Sequence, residues 1–96
     1  MWVRVTRFRV PPSRWDEATL SLREGVIPAL RTQGLLHAGY WVGNRDSGEG
    51  VALVLADDQD HLRRSEPAAE QARSQAAMAF GVAFGPALDF EVIGQL

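Results

Sequence analysis

The chain has 96 residues, 46% of them hydrophobic and 23% charged, with a formal net charge of −2. That composition describes one small globular domain and excludes a disordered polyelectrolyte. Ten basic residues, all arginine, stand against twelve acidic ones, so no basic stripe exists to follow a phosphate backbone and nucleic acid is not an expected partner.

Residues 2–10 read as a strand. Val3 and Val5 fall on one face and Trp2, Phe8 and Val10 on the other, because side chains alternate with period two. The same stretch has no apolar segment behind a basic region, so it is not expected to act as a signal peptide. Three arginines, Arg4, Arg7 and Arg9, lie on this one strand. Arg7 and Arg9 share the face of Val3 and Val5, and acidic partners such as Glu91 on the last strand are expected to pair with the arginines. "PPS" ends the strand, and Ser13 with Asp16 three residues on resembles a capping box. Trp15, Ala18, Thr19, Leu22, Val26, Ala29 and Leu30 then gather one helical stripe. Pro28 is expected to kink or end the last turn, and Gly34 to stop the helix.

Residues 35–44 and 51–56 form the two arms of a predicted hairpin, joined by the turn-forming "NRDSGEG". "DDQD" caps a second helix carrying His61, Leu62 and Arg64, with a break expected near Ser65 because Pro67 suits a first turn better than an interior. Helix resumes over 68–78, "FGVAFGP" reads as a loop, and 88–96 is the fourth strand. The longest uncharged run, 74–88, is broken by Gly81, Gly85 and Pro86 and is shorter than the about 20 apolar residues of a spanning helix, so no membrane contact is expected. The order βαββαβ over 1–96, as a single domain, is the ferredoxin-like arrangement of the α+β class, an antiparallel sheet with both helices on one face. "VALVLA" is apolar at six successive positions, so both faces of the third strand need cover. Two helices cover one; a second copy of the chain is expected to cover the other, giving a two-fold homodimer.

The opening strand "VRVTRFRV", the helix ending "VIPALRTQGLL", the hairpin "YWVGNRDSGEGVALVL" and the closing "DFEVIGQL" resemble the antibiotic-biosynthesis-monooxygenase-like family of dimeric α+β barrels. The resemblance implies the same fold and a homodimer. It admits small cofactor-free oxygenases of electron-rich polycyclic phenols, as well as haem-degrading enzymes. The haem-degrading members resemble one another in an Asn on the first strand, a Trp ending the third strand and a His on the second helix. Here the first strand has no Asn, the third ends in Ala56, and His61 stands alone. The cofactor-free oxygenases look to Asn, Trp, Tyr and Arg groups, types that Asn44, Trp41, Tyr40 and Arg73 supply.

Among individual residues, His37 and Trp41 are four apart on a predicted strand and so expected on one face, with Gly39 leaving room between them. A flat aromatic laid over Gly39 would stack on the indole while His37 took its phenolic proton. His37 and Trp41 are therefore the candidate catalytic pair, and Trp15, Gly39, Asn44, Arg73 and Phe80 the candidate ligand-binding residues. Packing for Trp41 and a turn-capping role for Asn44 are the competing structural roles. Two histidines 24 positions apart, with no HxxxH or HExxH, give no metal signature, and neither a metal nor a cofactor is expected. Two functional classes stay open: a cofactor-independent monooxygenase acting on an aromatic phenol, and a noncatalytic dimeric module that binds a small ligand or a partner.

Overall fold

The computed structural model describes residues 1–96. Strand β1, Trp2–Arg9, lies at the centre of a five-stranded antiparallel sheet; β3, Glu49–Ala56, pairs along its whole length, and β2, Ala38–Gly43, forms the outer arm of the hairpin. The other edge of β1 is shared by two short strands, β4, Ala83–Phe84, opposite Phe8 and Arg9, and β5, Leu88–Glu91, opposite Trp2 to Val5. One helical rod connects β1 to β2: a 3-10 turn, Pro12–Arg14, then α1, Trp15–Ser21, a π turn, Leu22–Val26, and α2, Ile27–Gln33. The second rod is α3, Gln59–Phe80. This is the ferredoxin-like α+β fold. No helix is long and apolar enough to cross a membrane.

Register and alternation sort the sheet into two faces. Arg4, Thr6 and Phe8 of β1 stand beside Val54, Ala52 and Gly50 of β3, and these beside Gly39, Trp41 and Gly43 of β2, all on the side of the rods. The opposite face carries Val3, Val5, Val51, Leu53, Leu55, Tyr40, Leu88 and Phe90, with Arg7, Arg9 and Glu49 towards one end. Val54, Ala56 and Leu62 form the small buried core, against which Trp2, Leu36 and Trp41 pack.

Several boundaries differ from the sequence reading. Helix α3 runs unbroken through Pro67. Pro67 and Arg63 are both exposed, so the carbonyl that the proline leaves without an intrahelical donor faces water. Ser13 sits inside the 3-10 turn and caps nothing; no side chain caps α1. Pro28 does not end the first rod, because the π turn before it takes up the strain, and Gly34, with φ 69°, closes the rod as expected. "FGVAFGP" contributes β4, since Phe84 reaches β1 opposite Phe8, and the last strand ends at Glu91 and not at Leu96. Strand β2 begins at Ala38, three residues later than expected.

Asp58 is the N-cap of α3: its Oδ1 accepts from the His61 backbone N–H at 2.8 Å and meets the His61 ring Nδ1 at 2.7 Å. These hydrogen bonds, the backbone one first, hold the Asp58 carboxyl below its ordinary value. A lowered folded-state pKa means stability that is present above the unfolded-state value and is lost as pH falls through the folded one. The gap in urea midpoint between the wild type and Asp58→Ala is therefore expected to be constant from neutral pH to the ordinary carboxylate range and to narrow below it. A gap that widens on acidification would contradict this cap.

Candidate active site

Between the rods and the sheet lies a cavity of about 390 Å³, within the about 300–1,000 Å³ of small-molecule sites. Thr6, Trp41, Ala52 and Val54 form its floor, Ala18, Leu22, Val26 and Leu30 its roof, and Ala69, Ala72, Arg73 and Ala76 of α3 one wall. The alanines of α3 matter here: their short side chains let a long helix lie over the sheet without filling the space beneath it. Nineteen of the 27 lining residues are hydrophobic, and the only charged side chains among them are those of Arg4 and Arg73.

Arg4 is 3% exposed and fully committed. Its Nε donates to Asp89 Oδ1 at 3.0 Å, Nη2 donates to the Leu62 carbonyl at 2.9 Å, and Nη1 donates to Ser65 Oγ at 3.2 Å. Glu66 Oε2 lies 2.8 Å from Arg4 Nη1, an ionic contact without hydrogen-bond alignment. The other Glu66 oxygen accepts from Arg73 Nη2. A chain of alternating charge, Asp89, Arg4, Glu66, Arg73, thus runs from the sheet edge to the cavity wall. Asp89, directly across from Arg4 on β5, takes the pairing role expected of Glu91, which stands opposite Trp2. Arg7 and Arg9 form no ion pair.

At the other end of the cavity Trp15 leans on the sheet. A Cβ added at Gly43 would stand 2.7 Å from Trp15 Cη2, so glycine there makes the seat for the indole. Arg14 donates to the Ala79 carbonyl at 2.9 Å and places its guanidinium 5.7 Å from the Phe80 ring centroid, tying the start of the first rod to the end of α3. Arg45 reaches from the hairpin turn to Asp16 at 2.7 Å.

Of the residues singled out from sequence, Trp15, Trp41, Arg73 and Phe80 come together around the cavity. His37 does not. It precedes β2, so strand alternation no longer governs its direction; its side chain is 56% exposed, with Nδ1 3.5 Å from Asp57 Oδ1. Gly39 is not a bed for a foreign ring, because a Cβ there would meet Trp41 Cζ3 at 2.9 Å: the indole of Trp41 itself folds over it. Asn44 also lies outside the cavity, its Oδ1 accepting from the Asp46 and Ser47 backbone N–H groups at 2.9 and 3.1 Å. Tyr40 is on the opposite face of the sheet. Sequence reasoning missed Arg4, Thr6 and Ser65 as lining residues. The alternation of Arg4 and Thr6 with Val3 and Val5 was the available signal, a polar row inside a strand that has an apolar row as well.

Solved structures of similar shape were found for the whole chain. SnoaB, a cofactor-independent oxygenase from Streptomyces nogalater, matches with a TM-score of 0.69 and 18% identity over 99% of this chain and 95% of that one. The monooxygenase ActVA-Orf6 of Streptomyces coelicolor, solved with the ligand nanaomycin D, matches with a TM-score of 0.76 and 18% identity over 99% of this chain and 89% of that one. The chain has the antibiotic-biosynthesis-monooxygenase-like fold. A dimeric ferredoxin-like protein from an uncultured marine organism shares this fold, with a TM-score of 0.71 and 9% identity over 100% and 98% of the two chains. No family model matches the sequence, and no curated protein does.

The charge chain generates an asymmetric prediction for this fold. Arg4 is buried while the Asp89 side chain is 27% exposed and Glu66 keeps Arg73 as a second partner, so losing Arg4 strands less charge than losing both acids. Removing both acids, Glu66→Ala with Asp89→Ala, is expected to cost about 3–5 kcal/mol, the loss typical of stranding a buried charge. Arg4→Met is expected to cost less. Equal losses in urea unfolding would show that the burial of Arg4 is not what makes the network costly to break.

Proposed function

We propose that the chain binds a planar, oxygen-bearing aromatic in this cavity and oxidises it with dioxygen as a cofactor-independent oxygenase. The observation that carries the reading is the pairing of a mostly apolar cavity with one guanidinium that has donors to spare. Arg73 spends only Nη2 on Glu66, leaving Nε and Nη1 without a protein partner. The shared fold of SnoaB, a cofactor-independent oxygenase, and of the monooxygenase ActVA-Orf6 supports the reaction class. A cysteine-free chain also suits the reducing cytoplasm, the location that this reading assumes.

In the proposed reaction an electron-rich phenol lies against the Trp41 indole with its oxygen towards Arg73. The adjacent positive charge lowers the phenol's pKa and favours the phenolate. No carboxylate or imidazole lines the cavity, so the proton leaves to water. The phenolate passes one electron to dioxygen, giving a phenoxyl radical and superoxide. These combine at a ring carbon bearing hydrogen, para to the oxygen, to form a carbon–oxygen bond and a peroxide. Loss of that hydrogen as a proton and cleavage of the O–O bond release water and leave a quinone, so one dioxygen is consumed for each quinone and each water formed. The apolar walls exclude bulk solvent from the radical pair.

One observation favours a second reading: with two arginines as the only charged side chains in its lining, the cavity has a grip for an anion but no side-chain base, which is what a noncatalytic receptor needs. Oxygen-electrode measurements with 1-naphthol, beside tryptophan-fluorescence titration, separate the two. Oxygen uptake matched by quinone is expected for the wild type. Arg73→Met is expected to lose on the order of 10²–10³ in kcat, the usual loss for removing one electrostatic stabiliser, and the exposed His37→Ala to lose nothing. Binding without oxygen uptake would leave only the receptor; absence of binding would remove both.

We further propose a two-fold homodimer through the face of the sheet turned away from the rods. Tyr40, Val42, Leu88 and Phe90 are each about half exposed there, beside Val3, Val5, Leu53 and Leu55, a contiguous apolar surface of the kind that marks an interface. The dimeric ferredoxin-like neighbour supports it. Leu53→Arg, on that face, is expected to sediment as a folded monomer at micromolar concentration. Ala52→Arg, on the cavity floor, is expected to stay dimeric and to lose ring binding instead. A dimeric Leu53→Arg would place the interface elsewhere.

A further inference from the structure

The rod that roofs the cavity is not uniform. At Leu22–Val26 it widens into a π turn, and the Ile27 backbone N–H donates to the Leu22 carbonyl, five residues back. One more residue is therefore wound between α1 and α2 than an α-helix would hold. Pro28, which has no N–H to give and whose ring would press on the carbonyl four residues earlier in α geometry, follows directly, so the widened turn lies where an α-helical ladder would be broken in any case. Gly25 is exposed, and a Cβ there would meet nothing within 4 Å, so close packing does not demand the glycine. The two ends of the turn, Leu22 and Val26, both line the cavity, with Ala18 one turn before and Leu30 one turn after.

We infer that this π turn sets the length of ring system that the cavity accepts, an inference that rests on the ring-binding reading above. In an α turn the residue four after Leu22 stands nearly over it. Here that place is not filled: Val26 and Ile27 straddle the row, and Ile27 is absent from the cavity lining while Leu22 and Val26 belong to it. Taking one residue out of the turn moves Ile27 to the fourth position after Leu22 and sets its side chain into the roof. The facing of α1 and α2 is preserved, because a one-residue deletion undoes a one-residue insertion. Selectivity for ring length is thus written in backbone geometry, where no polar contact records it.

The test deletes Gly25 in a Pro28→Ala background, with Pro28→Ala alone as the control that keeps the inserted residue. Tryptophan-fluorescence titrations use 1-naphthol as the two-ring probe and 1-anthrol as the three-ring probe. The wild type and the control are expected to bind both. The deletion variant is expected to keep 1-naphthol and to weaken 1-anthrol by at least about tenfold, the scale on which hydrophobic pockets discriminate size. Equal binding of both probes by the deletion variant overturns the inference. Should the variant not fold, Leu22→Phe narrows the same roof without touching the helix hydrogen bonds, and must give the same selectivity. A wild type that binds neither probe counts against ring binding itself; the inference is then decided by crystal structures of the wild type and the variant, where an unchanged cavity volume overturns it.

Discussion

The burial of one guanidinium organises this small domain. Arg4 sits in the middle of the central strand, where an unpaired charge would be prohibitive, and each of its partners comes from a different place: Asp89 from the last paired strand, and Leu62, Ser65 and Glu66 from one turn of α3. Satisfying Arg4 therefore requires β1, β5 and α3 to arrive together. Strand β5 has only four residues and no buried side chain, so sheet packing alone gives it little hold; its tie to Arg4 fixes its register against β1. The same guanidinium fixes the rotation of α3, which in turn decides that Arg73, two turns beyond Ser65, faces the cavity.

The price of a cavity in a chain of 96 residues is a thin core. Ten residues are buried, and three of those are polar or charged. The helix-facing side of the sheet, which in a well-packed domain of this size would supply most of the hydrophobic stabilisation, is partly given over to empty space. Much of the remaining apolar surface lies on the other face, on β1, β3 and β5. Cavity and open face are in this sense complementary: the less the monomer packs inside, the more its stability leans on whatever covers the outside.

Four of the five strands and their order along the chain were legible in the sequence because period-two alternation and the Asn- and Gly-rich turn are local signals; β4, two residues long, shows no alternation and was read as a loop. Trp41 was placed on the cavity side correctly for the same reason. His37 was misplaced by applying alternation one residue beyond the end of the strand. Gly39 was read as free space because the sequence does not show which way the Trp41 ring folds. Pro67 and Pro28 were both read as breaks. What decides their tolerance is the side of the helix on which they fall and whether the backbone can add a residue, and neither is visible in a list of residue types. Glu66, the link between Arg4 and Arg73, was hidden for another reason: a charged residue on a helix reads as a solvated face unless its partner is known, and its partner lies 62 positions away.

The two ends of the cavity are held by different physics. Around Arg4 the ties are buried, but at the Trp15 and Phe80 end they are exposed contacts of charged groups, the Arg45–Asp16 ion pair and the Arg14 guanidinium on the Ala79 carbonyl. Exposed pairs weaken as ionic strength shortens the Debye length, whereas buried ones are screened much less. The cavity consequently has a stiff end and a compliant end, and local opening at the compliant end needs less free energy than opening the whole domain. Opening at the end where the hairpin turn and the tip of α3 lean on the first rod should therefore respond more to the salt concentration of the medium than opening at the Arg4 end.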